Sequence, residues 1–158
     1  MKAVIEIPKG DDRRRHIKHD KSGFIDLGPI KNVIPVNNGI MPIHYGYLPE
    51  TINEKEGDEI DVIVFSRNAA DIGQEIMARP IALLCREDGD DKVVAADASL
   101  PDVKKWENAP EAERRLIEEF FGYKSKLTKV GGKEEAEKYI EAGREAFFKN
   151  ENSSPRQA

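Results

Sequence analysis

The chain has 158 residues, a formal net charge of −5 at pH 7 and 39% hydrophobic residues, which suits one globular domain with a substantial core. The acidic balance argues against nucleic-acid binding, which needs a basic surface, and no apolar stretch approaches the ~20 residues that cross a bilayer. Because the N-terminus has no signal-peptide layout and Cys85 is the single cysteine, we expect a cytoplasmic protein without an intrachain disulfide, a membrane anchor or a nucleic-acid partner.

The first two-thirds of the chain predicts short strands joined by turns. Residues 61–66 carry β-branched side chains without polar alternation, so both faces of that strand should be covered. Residues 28–39 are rich in Gly, Pro and Asn and predict an irregular connection. Because the strands are short and no helices separate them, the pattern favours a small barrel or curled sheet. The predicted strands are residues 2–7, 13–18, 24–27, 61–66, 76–85 and 92–96.

The last third of the chain predicts two helices that follow the strands, which makes the fold class α+β. Asn108 is the predicted N-cap of the first helix, with Pro110 inside its first turn. The second helix is predicted to begin near Lys133, where an apolar stripe starts. We expect a single domain over residues 1–149 and a disordered polar tail over residues 150–158.

The most unusual segment is residues 56–65, EGDEIDVIVF, in which four carboxylates lead directly into an apolar strand. Clustered carboxylates repel one another, and burying them is costly unless a cation pairs with them. Asp61 adjoins the strand and brackets the apolar Ile60 together with Asp58, so we expect these carboxylates at the rim of a site. A solvated acidic turn is the plain alternative; we favour a divalent cation held by oxygen ligands.

Two further acidic positions are candidates for the same site. Residues 87–92 read EDGDDK, which an Asp-Gly turn between strands would explain by itself. Asp90 and Lys92 stand two residues apart, however, and side chains at that spacing point to the same side of a strand. Glu6 lies in the middle of the first strand, where it is either a surface residue or points towards the other carboxylates.

Cationic and hydroxyl side chains complete the set. The arginines at residues 13–15, Tyr45, Tyr123 and Lys124 each have an ordinary structural explanation. Together with the carboxylates, they are the groups that a Mg²⁺-assisted phosphoryl-transfer site uses. The sequence has no Walker-type phosphate loop, zinc ligand set or G-x-S-x-G elbow that would favour another chemistry.

Residues 57–62, GDEIDV, resemble the D-G-D-P-x-D-V signature of the soluble family I inorganic pyrophosphatases. The resemblance spans residues 3–148 and implies an OB-like closed β-barrel with two C-terminal helices packed against it. It also implies Mg²⁺ as cofactor, with Mn²⁺ as an alternative ion, a small-molecule substrate and a homo-oligomer, which is a hexamer in prokaryotic members. The other matching segments follow in the same order: residues 4–8 (VIEIP), 42–47 (PIHYGY, for P-x-N-Y-G-Y), 79–80 (RP), 90–92 (DDK, for D-x-K) and 120–124 (FFGYK, for F-F-x-x-Y-K).

The resemblance also implies roles for individual residues. It makes Asp58 the base that takes a proton from a metal-bound water, and it places Asp61 between two metal ions. The implied metal ligands are Glu56, Asp61, Asp90, Asp88 and Glu6. The implied substrate-binding residues are Arg15, Tyr45, Lys92, Tyr123 and Lys124.

The chain departs from the family pattern at several positions. Glu56 replaces the first Asp of the signature, and Glu59 replaces its Pro. The family has K-x-E after the first strand, whereas residues 15–17 read RHI and offer no Glu. The family also has a phosphate-binding Arg where residues 28–32 read GPIKN, and Lys31 is the nearest cation there.

The primary interpretation is Mg²⁺-dependent hydrolysis of diphosphate to two orthophosphates. The departures motivate an alternative, in which a divergent member of the family uses the same metal site to hydrolyse a different small anion. A third interpretation is a non-catalytic binding or assembly protein that has kept the barrel.

Overall fold

The computed structural model describes residues 1–18, 20 and 22–153, without the side chains of residues 152 and 153. Three short 3₁₀ turns, at Ile30–Asn32, Val36–Gly39 and Trp106–Asn108, separate some of the longer elements. The strands and helices are β1 (Lys2–Ile7), β2 (Arg13–Ile17), β3 (Phe24–Pro29), β4 (His44–Asn53), β5 (Asp58–Phe65), β6 (Glu75–Arg86), β7 (Lys92–Asp97), α1 (Glu111–Phe121), β8 (Leu127–Gly131) and α2 (Lys133–Ser153).

Five strands close a barrel. They pair in the order β1-β4-β5-β7-β6, and β1 also pairs with β6, so the sheet has no free edge between those two strands. Strand β8 adds to β6 outside the closed ring, and β2 and β3 form a separate hairpin. The pairing of β5 with β7 is parallel and places Asp61 opposite Lys92. The α+β fold with a closed barrel and two helices is therefore confirmed.

The barrel strand β5 is buried on both faces, as its lack of polar alternation predicted. Ile63 and Phe65 pack in a core cluster that includes Ile117 and Phe120 of α1. The alternate residues of the same strand pack in a second cluster that includes Ala136 and Ile140 of α2. Each helix therefore covers one side of the barrel wall, and the carboxylates at the start of β5 are left at its rim.

Strand β4 was not predicted, and a close backbone contact explains how it forms. Gly46 lies so near β1 that a Cβ atom there would overlap the carbonyl oxygen of Val4. Only glycine fits this approach. The close packing holds Tyr45 opposite Ile7, next to Glu6 on β1.

Several element boundaries differ from those predicted. Asn108 is not the cap of α1, which begins at Glu111 after Pro110. Instead, Asn108 ends a 3₁₀ turn, and its side-chain oxygen accepts hydrogen bonds from the backbone N–H groups of Lys104 and Lys105 at 3.1 and 3.2 Å. Strand β8 was also missed, because its five residues, LTKVG, show no clear alternation.

The predicted tail begins too early, because α2 continues to Ser153. The rest of the predicted tail, residues 154–158, lies outside the described residues. Within the described part of the chain, no helix is long and apolar enough to cross a membrane.

Candidate active site

One cavity of about 390 Å³ brings together most of the side chains that the sequence singled out. It lies at the rim of the barrel, between the start of β5 and β7, the β2–β3 hairpin and the end of α1. Residues far apart in the sequence thus share one solvent-accessible space. The predicted site residues that line it are Glu6, Arg15, Tyr45, Glu56, Asp58, Asp61, Asp90, Lys92 and Lys124.

Lys92 is the centre of the charge arrangement. Its side chain is 4% exposed, and its Nζ lies 2.5 Å from Oδ2 of Asp61 and 3.0 Å from Oδ2 of Asp90. Burial works to lower the pKa of Lys92, but Tyr45 and the carboxylates of Asp61 and Asp90 raise it overall. The parallel register of β5 and β7 creates the first contact, and the predicted two-residue spacing creates the second. The lysine is therefore a fixed ammonium between two carboxylates.

Two carboxylates in the cavity are costly to ionise. Burial, with repulsion from Asp90, raises the pKa of Asp61 to about 6 despite the nearby Lys92. Burial also raises the pKa of Glu6 to about 7, although Ile17 donates a backbone hydrogen bond of 2.8 Å to its Oε2. Glu6 is 4% exposed, so it points into the site and not to the surface. Such groups gain stability when a cation binds them.

This set of donors suits a hard divalent cation, which prefers carboxylate oxygens. Among the described residues, however, no group of three carboxylate, histidine or cysteine side chains already converges on one point. The ammonium of Lys92 occupies the place between Asp61 and Asp90 where a shared cation would be attracted. The residues fit a site for a divalent cation, which would have to displace the ammonium of Lys92 from these two carboxylates.

Asp58 lies at the mouth of the cavity, where the turn from β4 enters β5. Gly57 makes this turn with a φ of +72° and donates a hydrogen bond of 2.7 Å to the carbonyl of Asn53. The Asp58 side chain is 42% exposed, and its Oδ1 accepts a 2.9 Å hydrogen bond from the backbone of Glu59. Its carboxylate is thus held on the cavity wall while it stays within reach of water.

Two predicted site residues lie outside the cavity lining. Tyr123 is 54% exposed and does not line the cavity, so its placement does not support a substrate contact. Only Gly122 separates it from Phe121, where the family pattern has two residues, and Lys124 still lines the cavity. Asp88 lies on the adjoining turn, where its Oδ1 accepts a hydrogen bond of 3.0 Å from the backbone of Asp90.

Sequence reasoning missed some cavity residues. His16 lies between two predicted site carboxylates, with Nδ1 3.3 Å from Glu6 and Nε2 4.0 Å from Asp58. Arg86, at the end of β6, lines the cavity beside Asp90. In the sequence, its position just before the acidic turn was the only signal. Lys31, the cation nearest to the missing family arginine, is exposed and does not line the cavity.

Comparisons with known proteins agree on one family. A sequence model described as inorganic pyrophosphatase matches residues 3–147. The chain is 33% identical over 165 aligned positions to the inorganic pyrophosphatase of Nanoarchaeum equitans, covering 93% of this chain and 97% of that protein. It is 32% identical over 135 positions to that of Saccharolobus solfataricus, covering 80% and 75%. A crystal structure of an inorganic pyrophosphatase from Neisseria gonorrhoeae has a TM-score of 0.79 at 26% identity, covering 94% and 91%.

Proposed function

The chain belongs to the family I inorganic pyrophosphatases and is a diphosphate-hydrolysing enzyme, and we propose that it cleaves diphosphate into two orthophosphates with Mg²⁺ and an aspartate base. The observation that carries this mechanism is the shared cavity, in which buried carboxylates face fixed cations. The carboxylates suit metal ions, and the cations suit phosphate oxygens. Diphosphate would bridge the two groups, because its oxygens can bind both metal ions and protein cations.

The metal-binding half of the cavity centres on Asp61. We assign Asp61, Asp90 and Glu56 as the main ligands, with Glu6 and the nearby Asp88 serving additional ions. Bound Mg²⁺ supplies a water of lowered pKa and a counter-charge for the phosphate oxygens. Mn²⁺ prefers the same oxygen donors and should substitute for it.

Asp58 acts as the general base on the attacking water. A base must reach the water proton and must not be fully engaged as a metal ligand. The carboxylate of Asp58 meets both requirements, because it lies on the cavity wall and is 42% exposed.

Lys92, Lys124, Arg15 and Tyr45 hold the phosphate groups. Lys92 now donates to Asp61 and Asp90, and its ammonium would become available to an anion in the same cavity if a metal ion were held by those two carboxylates. Burial and the charge of Asp61 raise the pKa of Tyr45, so its hydroxyl keeps its proton and can donate a hydrogen bond to a phosphate oxygen. These charges stabilise the leaving phosphate without rearrangement at the moment of bond cleavage.

Orthophosphate release from diphosphate, measured with Mg²⁺ for the wild type and for Asp58→Asn, tests this mechanism. We expect turnover by the wild type and a loss of about 10²–10⁴-fold in kcat for the variant, the usual contribution of a general base. Asp102→Asn is the matched control, because Asp102 is exposed and outside the cavity lining. Full activity in Asp58→Asn would show that another group takes the proton.

A second candidate substrate class follows from one observation. Just before residues 28–32, where the family has a phosphate-binding arginine nearby, the residue that lines the cavity is Leu27, which carries no charge to bind phosphate. A different small phosphorylated or carboxylated anion is therefore the alternative substrate. A panel of such compounds, compared by kcat/KM, decides between them, and diphosphate is expected to exceed every competitor.

The remaining proposals concern binding and assembly. Calorimetric titration with Mg²⁺ should show binding at more than one site, which a non-catalytic barrel protein would not show. We also propose a homo-oligomer, a hexamer by family resemblance, and a single domain that extends to the end of α2 at Ser153. Light scattering on the purified protein measures the oligomeric state, and limited proteolysis measures the extent of the domain.

A further inference from the structure

We propose that Arg86 is a phosphate-binding residue of this enzyme and supplies the guanidinium that residues 28–32 lack. The inference rests on the proposed function, since it concerns how the same cavity holds its anionic substrate. It adds a residue that neither the sequence motifs nor the family resemblance assigns.

The backbone around Arg86 is firmly held. The residue ends barrel strand β6 and is paired with Leu127 of β8. Its N–H donates a 2.9 Å hydrogen bond to Oδ1 of Asp91, and its carbonyl accepts a 3.0 Å hydrogen bond from Gly89. The fixed backbone and the 11% exposure of the side chain limit the positions open to the guanidinium, which lowers the entropy cost of binding an anion.

The guanidinium of Arg86 is buried but poorly satisfied by the protein. Its side chain is 11% exposed, and its contacts are long: 3.4 Å from Nη1 to Oδ2 of Asp90, 3.5 Å from Nη1 to the carbonyl oxygen of Asp90 and 3.8 Å from Nη2 to Oδ2 of Asp88. Charge-assisted hydrogen bonds are normally about 2.7–2.9 Å. Its Nε is buried and has no partner among the described residues. The buried charge therefore retains donor capacity for a further acceptor.

Arg79 shows what a structural arginine looks like in the same barrel. Its Nη1 donates to the carbonyl of Asp97 at 3.0 Å, and its Nη2 donates to the carbonyl of Val103 at 2.7 Å. It does not line the cavity. Arg86 differs in both respects, because it lines the cavity and its donors are not saturated.

Arg86 and Lys92 share one carboxylate. Oδ2 of Asp90 lies 3.0 Å from the lysine Nζ and 3.4 Å from Nη1 of the arginine. A divalent cation on Asp90 would compete with both for that oxygen. Both positive groups would then face the anion that enters with the metal, and the planar fork of an arginine can bind two phosphate oxygens at once.

The other cations of this region do not replace the guanidinium that residues 28–32 lack, although Arg15 also lines the cavity and has a buried Nε without a hydrogen-bond partner among the described residues. Lys31 does not line the cavity, and Arg15 is paired with Asp11. Arg14 and Arg15 lie on the β2–β3 hairpin, which forms a sheet separate from the barrel. Arg86 is the cavity arginine that a barrel strand positions.

The competing explanation is that Arg86 only holds the turn that carries Asp88 and Asp90. That role predicts weaker Mg²⁺ binding and lower thermal stability when the arginine is removed. A phosphate-binding role predicts weaker binding of the anion, with Mg²⁺ binding unchanged or tighter, because a cation next to two ligands has been removed. The two roles therefore predict different effects on Mg²⁺ affinity: a loss for the structural role and no loss for the phosphate-binding role.

The test compares Arg86→Gln and Arg86→Lys with the wild type in four measurements. These are KM and kcat for diphosphate, the Kd of methylenediphosphonate with Mg²⁺, the Kd of Mg²⁺ alone, and Tm. For Arg86→Gln we expect KM and the diphosphonate Kd to rise about 10–100-fold, as for the loss of a charged hydrogen-bonding group. Arg86→Lys should recover part of this loss, because it keeps the charge without the fork.

Arg115→Gln is the control, since Arg115 lies on the exposed face of α1 with 74% side-chain exposure. A KM and a diphosphonate Kd within twofold of wild type in both Arg86 variants would overturn the inference. So would weaker Mg²⁺ binding with unchanged diphosphonate binding. If Arg86→Gln does not fold, the same measurements on Arg86→Lys decide whether Arg86 binds phosphate. If the wild type does not cleave diphosphate, the proposed function has failed; if it does and the variants match it, the role of Arg86 alone has failed.

Discussion

Replacing Lys92 with methionine should destabilise the metal-free protein much more than the Mg²⁺-loaded protein. The substitution removes the ammonium that lies 2.5 Å from Asp61 and 3.0 Å from Asp90 and leaves two carboxylates facing each other. Removing one partner of a fully buried ion pair costs about 3–5 kcal/mol. Because the Asp61 and Asp90 side chains retain 21% and 25% exposure, we expect about 2–3 kcal/mol at pH 8 in EDTA.

Mg²⁺ should remove most of that cost, because it pairs with the same carboxylates. We expect the difference between variant and wild type to shrink to about 1 kcal/mol or less at saturating Mg²⁺. Urea denaturation with and without the metal measures both values. Lys129→Met is the control, since its exposed pair with Glu135 should contribute less than about 1 kcal/mol under either condition. An equal loss of stability with and without Mg²⁺ would refute the idea that metal and lysine exchange at these carboxylates.

Three further predictions follow from single contacts. The pKa of Glu6 is about 7 in the folded protein and 4.5 in the unfolded chain, so in EDTA folding favours the protonated form and the free energy of unfolding falls as the pH rises from about 5 to 7. Urea denaturation should show that Glu6→Gln loses on the order of 1–3 kcal/mol less of this free energy than wild type over that range. Gly46→Ala should lower the free energy of unfolding by more than about 2 kcal/mol, because its Cβ would overlap the carbonyl of Val4, and an unchanged denaturation midpoint would contradict the close approach. Tyr123→Phe should leave KM for diphosphate within twofold of wild type, because the tyrosine lies outside the cavity lining; a tenfold rise would restore it as a substrate contact.

The sequence predicted the strands whose local pattern is strong and missed those that depend on distant partners. Strand β5 has continuous β-branched residues and was recognised from them. Strand β4 contains Gly46 and Pro49 and has weak strand propensity by itself. It forms because the barrel supplies partners on both sides, β1 and β5, and this pairing is not visible in a local window.

Single cavity residues of either charge were easier to predict than the contacts between them. Asp61 and Asp90 stand in motifs whose charge clustering is unusual, so their presence in one cavity was expected. The contact of Lys92 with Asp61 depends on the parallel register of two strands that are distant in sequence. Arg86 has no motif at all, and only its burial next to Asp90 identifies it. Tyr123 follows Phe121 after one residue where the family pattern has two, and its contact with substrate stays a prediction.

The most direct test of metal-dependent diphosphate hydrolysis is the stoichiometry and metal dependence of orthophosphate release by the wild-type protein. We expect two orthophosphates for each diphosphate consumed, no turnover in EDTA, and full recovery when Mg²⁺ is added in excess. Turnover that persists in EDTA, or no release of orthophosphate from diphosphate at saturating Mg²⁺, would contradict the assignment of the cavity as a metal-dependent diphosphatase site.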